Sequence, residues 1–187
     1  MSVEIKCAVV GASKVGKTCL LATYYANKFP SDYIPTVYDP FVVYVGDNNL
    51  RLSIWDTAGA DIYDRLRPLS YPKTQIYLLC FSVDDHDSFD SLTTKWIKEI
   101  KSNASEKKYC VVLVGTKTDL RKEKNCITEE EGRKMAGTIG ATAYFECSAM
   151  NGIGVKEVFD GAVEAFKGGE NDNEYLANGS SGKCILM

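Results

Sequence analysis

The sequence is poor in histidine, has no surplus of basic residues and contains no long apolar run, and each shortage excludes a class of protein. Lys and Arg number 22 against 25 for Asp and Glu among 187 residues, so a net charge of −3 offers no basic surface for nucleic acid. The longest apolar runs, at 76–81 and 109–114, are far shorter than the roughly 20 residues that span a bilayer. The only histidine, His86, lies among aspartates without a second imidazole, so we interpret it as a solvated turn residue.

The cysteines and the N-terminal residues indicate the cellular compartment in which the protein is expected. The seven cysteines include no Cys-x-x-Cys pair, which is typical of a reducing compartment, and six of them are interpreted as small apolar core residues. The N-terminus lacks the charged and then apolar regions of a signal peptide, so we expect a cytosolic protein. Because 45% of the residues are hydrophobic, the composition predicts one globular domain with a buried core.

Short apolar runs alternate with helical patterns along the chain, which is typical of βαβ units and a parallel sheet. Residues 37–45 and 50–55 flank the turn-rich segment 46–49, which predicts one antiparallel hairpin with Pro40 near the start of its edge strand. Thr128 and Glu131 form a capping-box pattern that opens a helix. The other predicted strands are 5–10, 76–83, 109–115 and 142–147, and the other predicted helices are 17–27, 89–100 and 155–166.

These elements predict an α/β fold in which a mostly parallel six-stranded sheet, with one antiparallel edge hairpin, carries helices on both faces. The predicted domain covers residues 1–167. Residues 168–187 are too polar to bury an apolar surface, so they are predicted to form a flexible tail.

The strongest functional motif is Gly11-Ala12-Ser13-Lys14-Val15-Gly16-Lys17-Thr18, which matches GxxxxGK[ST] and lies between a predicted strand and a predicted helix. The backbone N–H groups of such a P-loop bind a polyphosphate, Lys17 reaches the outer phosphates, and the Thr18 hydroxyl is a ligand for Mg²⁺. A plain glycine turn would leave Lys17 and Thr18 unexplained. For Lys14 a solvated side chain is favoured over a cation acting on the phosphates. The nucleotide-binding residues predicted here are Ser13, Lys14, Val15, Gly16, Lys17, Thr18 and Cys19.

Three further motifs are predicted to lie at the carboxyl ends of strands, where ligands bind in a doubly wound sheet. In Asp56-Thr57-Ala58-Gly59 the carboxylate would bind the metal through water and the Gly59 amide would meet a γ-phosphate. In Thr116-Lys117-Thr118-Asp119 the Asp119 carboxylate would accept two hydrogen bonds from guanine, while the Lys117 stem covers the ring. In Cys147-Ser148-Ala149 a backbone N–H would donate to guanine O6, with Met150 next in the chain. Together these motifs predict GTP or GDP with Mg²⁺ as the ligands.

On these motifs the chain resembles the Ras superfamily of small GTPases and, within it, the Rho/Rac family. The likeness covers about residues 5–167 and is most specific in Tyr33-Ile34-Pro35-Thr36-Val37, Trp55-Asp56-Thr57-Ala58-Gly59 and Tyr63-Asp64-Arg65-Leu66-Arg67-Pro68-Leu69-Ser70-Tyr71. It implies that Thr36, in a first switch, joins Mg²⁺ and the γ-phosphate only with GTP, that Phe29 packs against the base, and that Tyr33 closes over the phosphates. It also implies a second switch that begins at Asp56 and continues into residues 64–71, and an effector surface over residues 38–41.

The resemblance further implies a monomeric GTPase that converts GTP to GDP and phosphate, with a role in cytoskeletal or membrane-traffic control. Its partners would be guanine-nucleotide exchange factors, effectors and a dissociation inhibitor. The residues implied for hydrolysis are Lys17, Thr36, Gly59 and the residue at position 60, here Ala60.

Three departures from the family pattern bear on this function. Ser13 stands where active members have glycine, and Ala60 stands where they have the glutamine that orients the attacking water. Both changes resemble those of the Rnd subgroup, atypical Rho proteins that stay loaded with GTP. The interval 120–147 leaves no room for the insert helix of most Rho proteins. We therefore predict weak intrinsic hydrolysis and a weak response to a GTPase-activating protein.

Two other functions remain as alternatives. A constitutively GTP-bound binding module would share the fold and the ligand but would hydrolyse too slowly to switch, and Ala60 and Ser13 favour it. An ATP-using P-loop kinase is disfavoured by Asp119 and by the lack of a lid segment.

The last four residues, Cys184-Ile185-Leu186-Met187, form a C-a-a-X box whose terminal methionine favours farnesylation of Cys184. Lys183 is the only basic residue of the predicted tail, so the lipid would act without a basic patch. This predicts reversible attachment, with the protein divided between the cytoplasmic face of membranes and the cytosol.

Overall fold

The computed structural model describes residues 4–30, 40–45, 50–122 and 125–176, with side chains as far as residue 168. Within these ranges six strands form one sheet: β1 Glu4–Gly11, β2 Pro40–Val45, β3 Leu50–Asp56, β4 Ile76–Ser82, β5 Cys110–Thr116 and β6 Ala143–Glu146. Their order is β2-β3-β1-β4-β5-β6, and β2 and β3 are the antiparallel pair. The predicted α/β class and the mostly parallel six-stranded sheet are confirmed. Pro40 begins the edge strand, where a missing N–H is tolerated.

Five α-helices occur in the described residues: α1 Lys17–Ala26, α2 His86–Ser91, α3 Ile97–Asn103, α4 Glu129–Ile139 and α5 Val155–Leu176. They cover both faces of the sheet because successive residues of a strand point to opposite sides. Cys7 and Val9 of β1 belong to the buried cluster that includes α1 and α5, whereas Ala8 and Val10 belong to the cluster that includes α3 and α4. Strands β4 and β5 are buried along their whole length, as expected for parallel strands covered on both faces.

Helices α2 and α3 are joined by a π-helical segment, Leu92–Trp96, which the sequence pattern does not predict. The apolar face predicted for this region is confirmed, since Leu92, Trp96 and Ile100 are buried in the core. Because each π turn contains more residues than an α turn, the residues on the buried face are spaced differently here from those of a regular α-helix.

The structure confirms the capping box at the start of α4. The Thr128 hydroxyl accepts a hydrogen bond from the Glu131 N–H at 3.2 Å, and the Glu131 carboxylate accepts one from the Thr128 N–H at 2.8 Å. In the described part of the interval between Asp119 and Ser148, the chain forms only a 3₁₀ turn (Thr118–Lys122), α4 and β6. No insert helix occurs in these described residues, in agreement with the sequence analysis.

Three predictions about individual segments need correction. His86 is the first residue of α2 rather than a turn residue, although its side chain is exposed as expected. Of the six cysteines that the structure describes, all free, Cys19 and Cys126 are only half-buried. Helix α5 continues to Leu176, so residues 168–176 of the predicted tail are helical. These residues continue the backbone pattern of α5 without an apolar periodicity of their own, so apolar spacing could not predict them. Residues 177–187, with Cys184, lie outside the described residues.

No helix in the described ranges combines the length and the apolar character needed to cross a membrane.

Candidate functional site

The four sequence motifs come together at one edge of the sheet, where they line two adjoining cavities. The first cavity, of about 370 Å³, is lined by Ser13, Lys14, Gly16, Lys17, Thr18, Cys19, Thr57, Ala58, Gly59, Ala60, Tyr63 and Lys117. The second, of about 220 Å³, is lined by Gly16, Cys19, Leu20, Phe29, Thr116, Lys117, Asp119, Cys147, Ala149 and Met150. Gly16, Cys19 and Lys117 border both cavities, so one elongated ligand could occupy them together.

The P-loop wraps the first cavity because its backbone adopts conformations that glycine favours. Gly11 has a φ of +139°, and a Cβ atom there would lie 2.2 Å from the carbonyl oxygen of Cys80. Lys14 also has a positive φ, of 64°, and its side chain is exposed, which agrees with the solvated side chain favoured from the sequence. Val15 is buried and anchors the loop in the core.

Lys17 is the cation of the first cavity and is only 6% exposed. Its ammonium group donates to the carbonyl oxygens of Gly11 at 2.8 Å and Ala12 at 2.6 Å. Burial lowers the pKa of Lys17 to about 8, even though the nearby Asp56 carboxylate acts in the opposite direction. A phosphate in this cavity would favour the charged form of the lysine, since an adjacent anion offsets the cost of burial. The residues therefore fit a polyphosphate.

Thr18 and Asp56 bring two oxygen ligands together beside the P-loop. The Thr18 hydroxyl donates to Asp56 Oδ2 at 2.7 Å, although the two residues lie on α1 and at the end of β3. Thr57 ties the loop after β3 to β1, because its hydroxyl donates to the Val9 carbonyl oxygen at 2.7 Å. Hydroxyl and carboxylate oxygens are the donor set that Mg²⁺ prefers. These two residues would hold the ion, and the third predicted ligand, Thr36, lies outside the described residues, as does Tyr33.

Gly59 lies directly against the P-loop. A Cβ atom at this position would come within 2.5 Å of the Gly11 carbonyl oxygen and of the Ala12 carbonyl carbon, so only glycine allows this approach. Ala60 follows it on the wall of the first cavity, together with Ser13 and Tyr63. The two positions that depart from the family pattern thus border the same cavity.

The second cavity is organised by hydrogen bonds between the loops after β5 and β6. The Ser148 hydroxyl donates to Asp119 Oδ1 at 2.5 Å and accepts from the Asn151 N–H at 3.1 Å. The Thr116 hydroxyl lies 2.5 Å from the Val15 carbonyl oxygen and 2.9 Å from that of Phe81, which links the P-loop to β4 and β5. Phe29, Ala149 and Met150 supply apolar surface, as a flat aromatic base requires.

Two residues of the site were not found from the sequence. Asp84, just after β4, pairs with Lys117 at 3.6 Å and accepts a hydrogen bond from the Ser82 hydroxyl. Burial alone would raise the pKa of Asp84, but the Ser82 hydrogen bond and the Lys117 charge outweigh it and lower the pKa below its ordinary value. Arg67 is fully buried beneath the loop of Ala58 and Ala60. Neither could be recognised from spacing, because each acts through a contact distant in sequence.

A family model described as the Ras family matches residues 6–167. The chain belongs to the Ras family. It is therefore a small GTP-binding protein, and the Ras-superfamily resemblance is confirmed. Ras-family proteins bind GTP and GDP, typically with Mg²⁺, and interact with exchange factors and effectors. In this Ras-family chain the first cavity accordingly fits the phosphates and the second fits the base.

Proposed function

We propose that this protein is a Rho/Rac-like GTP-binding switch in which both intrinsic and activator-stimulated hydrolysis of GTP are impaired. The observation that carries the proposal is the pair Ser13 and Ala60 on the wall of the phosphate cavity. Ala60 has no polar side chain with which to orient a water molecule, and Ser13 adds a side chain where the family has none. The Rho/Rac assignment is supported by the sequence of residues 33–37 and 63–71.

The remaining residues of the phosphate cavity are suited to binding a nucleoside triphosphate with Mg²⁺. Lys17 would supply positive charge beside the outer phosphates, and the Gly59 N–H, on the wall of the same cavity, would donate to the terminal one. Thr18 and Asp56 would hold Mg²⁺, which neutralises negative charge on the phosphates when it is bound. Asp119, positioned by Ser148, selects guanine.

Asp61 does not replace the missing glutamine. Its side chain is 90% exposed and accepts a hydrogen bond from Lys95 at 2.6 Å, which directs the carboxylate toward the π-helical segment. A carboxylate would in any case be repelled by a triphosphate. Tyr63 lines the phosphate cavity, so its hydroxyl is the polar group near Ala60 that needs testing.

The test is phosphate release under single-turnover conditions, with and without a Rho-type GTPase-activating protein. We expect GTP to persist on the parent and the double variant Ser13→Gly with Ala60→Gln to gain a response of roughly 10³-fold or more. Ala60→Gln alone should recover only part of this gain, because the Ser13 side chain remains. Asp61→Asn is the matched control and should change nothing, while Tyr63→Phe reports any contribution of the tyrosine hydroxyl. A parent that responds fully to the activator would contradict impaired hydrolysis.

A constitutively GTP-bound binding module is the second candidate, and the same two residues favour it. The two functions differ only in the rate at which bound GTP is hydrolysed. A parent that releases no phosphate over the lifetime of its complex with effectors would be such a module.

We also propose that Cys184 is farnesylated and that the protein divides between the cytoplasmic face of membranes and the cytosol. The support is the C-terminal sequence, in which a C-a-a-X box stands without a cluster of basic residues beside it. Cys184→Ser should abolish recovery in the membrane fraction, and equal partition of the variant and the parent would contradict the proposal.

A further inference from the structure

Arg67 holds the backbone on both sides of Gly59. Its Nε donates to the Ala58 carbonyl oxygen at 2.7 Å, and its Nη2 donates to the Ala60 carbonyl oxygen at 3.2 Å. Gly59 lies between these two carbonyl groups in the chain. One fully buried guanidinium therefore holds the Ala58–Gly59 peptide unit, which carries the Gly59 N–H, and also the carbonyl group of Ala60.

The guanidinium is itself held from α3. Arg67 Nη1 donates to Glu99 Oε2 at 2.6 Å, and the Tyr71 hydroxyl donates to the other carboxylate oxygen at 2.5 Å. The Trp96 ring lies 4.5 Å from the guanidinium carbon and covers one of its faces. Burial, followed by the hydrogen bond to Glu99, raises the pKa of Tyr71 far above its ordinary value, so its hydroxyl remains a donor. This cluster, Arg67–Glu99–Tyr71, is here named the switch clamp.

The P-loop closes the other side of Gly59. Because a Cβ atom on Gly59 would lie within 2.5 Å of the P-loop backbone, the glycine has no room to move toward it. The hydrogen bonds of the switch clamp to Ala58 and Ala60 resist movement of this loop away from the guanidinium. The position of the Gly59 N–H relative to the phosphate cavity is thus set by the clamp and the P-loop together.

We propose that Arg67, held by Glu99 and Tyr71, is a positioning residue for Gly59 and so sets how tightly the protein holds GTP relative to GDP. The inference rests on the proposed function in one respect, namely that the Gly59 N–H donates to the terminal phosphate of GTP. GDP lacks that phosphate, and for this reason a displaced Gly59 costs affinity for the triphosphate alone. A purely structural clamp would affect both nucleotides equally.

The chain contains a second cluster of the same chemistry, which serves as the control. Arg121 donates to Glu146 at 2.5 and 2.6 Å, and the Tyr144 hydroxyl donates to Glu146 at 2.6 Å. This cluster lies beside the base-binding loop, since Arg121 belongs to the same 3₁₀ turn as Asp119. Its disruption should change the binding of GDP and GTP alike, because both nucleotides carry guanine.

The experiment compares the dissociation rates of fluorescent GDP and a fluorescent non-hydrolysable GTP analogue from the parent and from Tyr71→Phe, Glu99→Gln, Arg67→Lys and the control Tyr144→Phe. We expect the three clamp variants to release the triphosphate about tenfold faster while GDP release changes by less than about twofold, as the loss of one charged hydrogen bond predicts. Arg67→Lys keeps the charge but lacks the donors needed for both carbonyl groups. Tyr144→Phe should leave the ratio of the two rates unchanged.

Tyr71→Phe and Glu99→Gln decide the outcome even if Arg67→Lys does not fold. An unchanged ratio of triphosphate to GDP release in both variants would overturn the proposal, as would an equal acceleration of the two nucleotides. A parent that releases both nucleotides at the same rate would contradict the role of Gly59, whereas rapid phosphate release by the parent would contradict impaired hydrolysis. These results are distinguishable because each comes from a separate measurement.

Discussion

In the proposed base site, Asp119 and Ser148 would divide the work of selecting guanine. The Asp119 carboxylate would supply the acceptors that guanine needs, and the Ser148 hydroxyl donates to one of its oxygens at 2.5 Å. The two side chains come from loops 29 residues apart in sequence. Base selection therefore depends on a residue that would touch the base and on a second that holds the first in place.

We expect Asp119→Ala to weaken the binding of GDP and GTP alike by about 2–5 kcal/mol, because a charged pair of hydrogen bonds is lost. Ser148→Ala should cost only about 1 kcal/mol, the contribution of one positioning hydrogen bond. Competitive displacement of a fluorescent guanine nucleotide measures both effects, with ATP as the reference competitor. Displacement by ATP as effective as that by GTP on the parent would contradict this assignment.

The residues of the site were predictable from the sequence where they belong to a contiguous motif. The P-loop residues, Gly59 and Asp119 could be assigned because backbone geometry at the end of a strand decides their positions. Arg67, Asp84 and Glu99 could not, since the contacts Arg67–Ala58, Arg67–Glu99 and Asp84–Lys117 span 9, 32 and 33 residues and follow no spacing rule. Charged side chains that pair over such distances leave no periodic signal.

At the scale of a single element, α4 contains two glycines in opposite environments. Gly132 is buried, and a Cβ atom there would lie 2.0 Å from the Tyr144 hydroxyl oxygen. Gly137 is exposed, and among the described residues no atom lies within 4 Å of a Cβ placed on it. Replacement of glycine by alanine should therefore have opposite effects on the free energy of unfolding at these two sites, which lie five residues apart.

Gly132→Ala should lower the free energy of unfolding by about 1–3 kcal/mol, because the methyl group displaces Tyr144 from Glu146. Gly137→Ala should raise it by about 0.5–1 kcal/mol, since alanine restricts the unfolded chain and favours the helix. Urea denaturation of the two variants beside the parent measures both changes. Equal changes of the same sign in the free energy of unfolding would show that the contact with Tyr144 does not determine the effect of Gly132→Ala.

The elements themselves were predicted more reliably than their boundaries. Continuous apolar runs identified β4 and β5, and the capping box identified the start of α4. The π-helical segment at Leu92–Trp96 escaped prediction because the apolar spacing there fits an α-helix equally well. The extension of α5 to Leu176 also escaped prediction, because residues 168–176 have no apolar periodicity from which a helix could be inferred.

At the scale of the whole molecule, buried acidic groups make the folded state sensitive to alkali. Burial raises the pKa of Cys80 and of Cys110 from 9.0 to about 12, and that of Tyr77 from 10.0 to about 12. In the unfolded chain these groups lose their protons at lower pH than in the folded protein. Through these three groups the folded state binds more protons, and although Lys17, with a folded pKa of about 8, acts in the opposite direction, the stability falls as the pH rises above about 9.

We expect the free energy of unfolding, measured in urea under reducing conditions, to decline between pH 8 and pH 10.5 by up to about 1.4 kcal/mol per pH unit for each titrating group. Cys110→Val removes one group and should make the decline shallower. Val111→Ala is the control, because it weakens the same buried strand without changing a titratable side chain. A slope unaltered by Cys110→Val would show that this thiol ionises equally in both states.

The strand order separates the two ends of the nucleotide site across the sheet. The loop after β3 borders the phosphate cavity and the loop after β6 borders the base cavity, while Gly16, Cys19 and Lys117 border both, and the β2–β3 hairpin lies at the far edge from β6. We propose that binding of the base and signalling through the hairpin edge can be separated by mutation. We expect a lesion confined to the hairpin side to leave guanine bound, so that the altered copy occupies exchange factors and interferes with normal copies in the same cell.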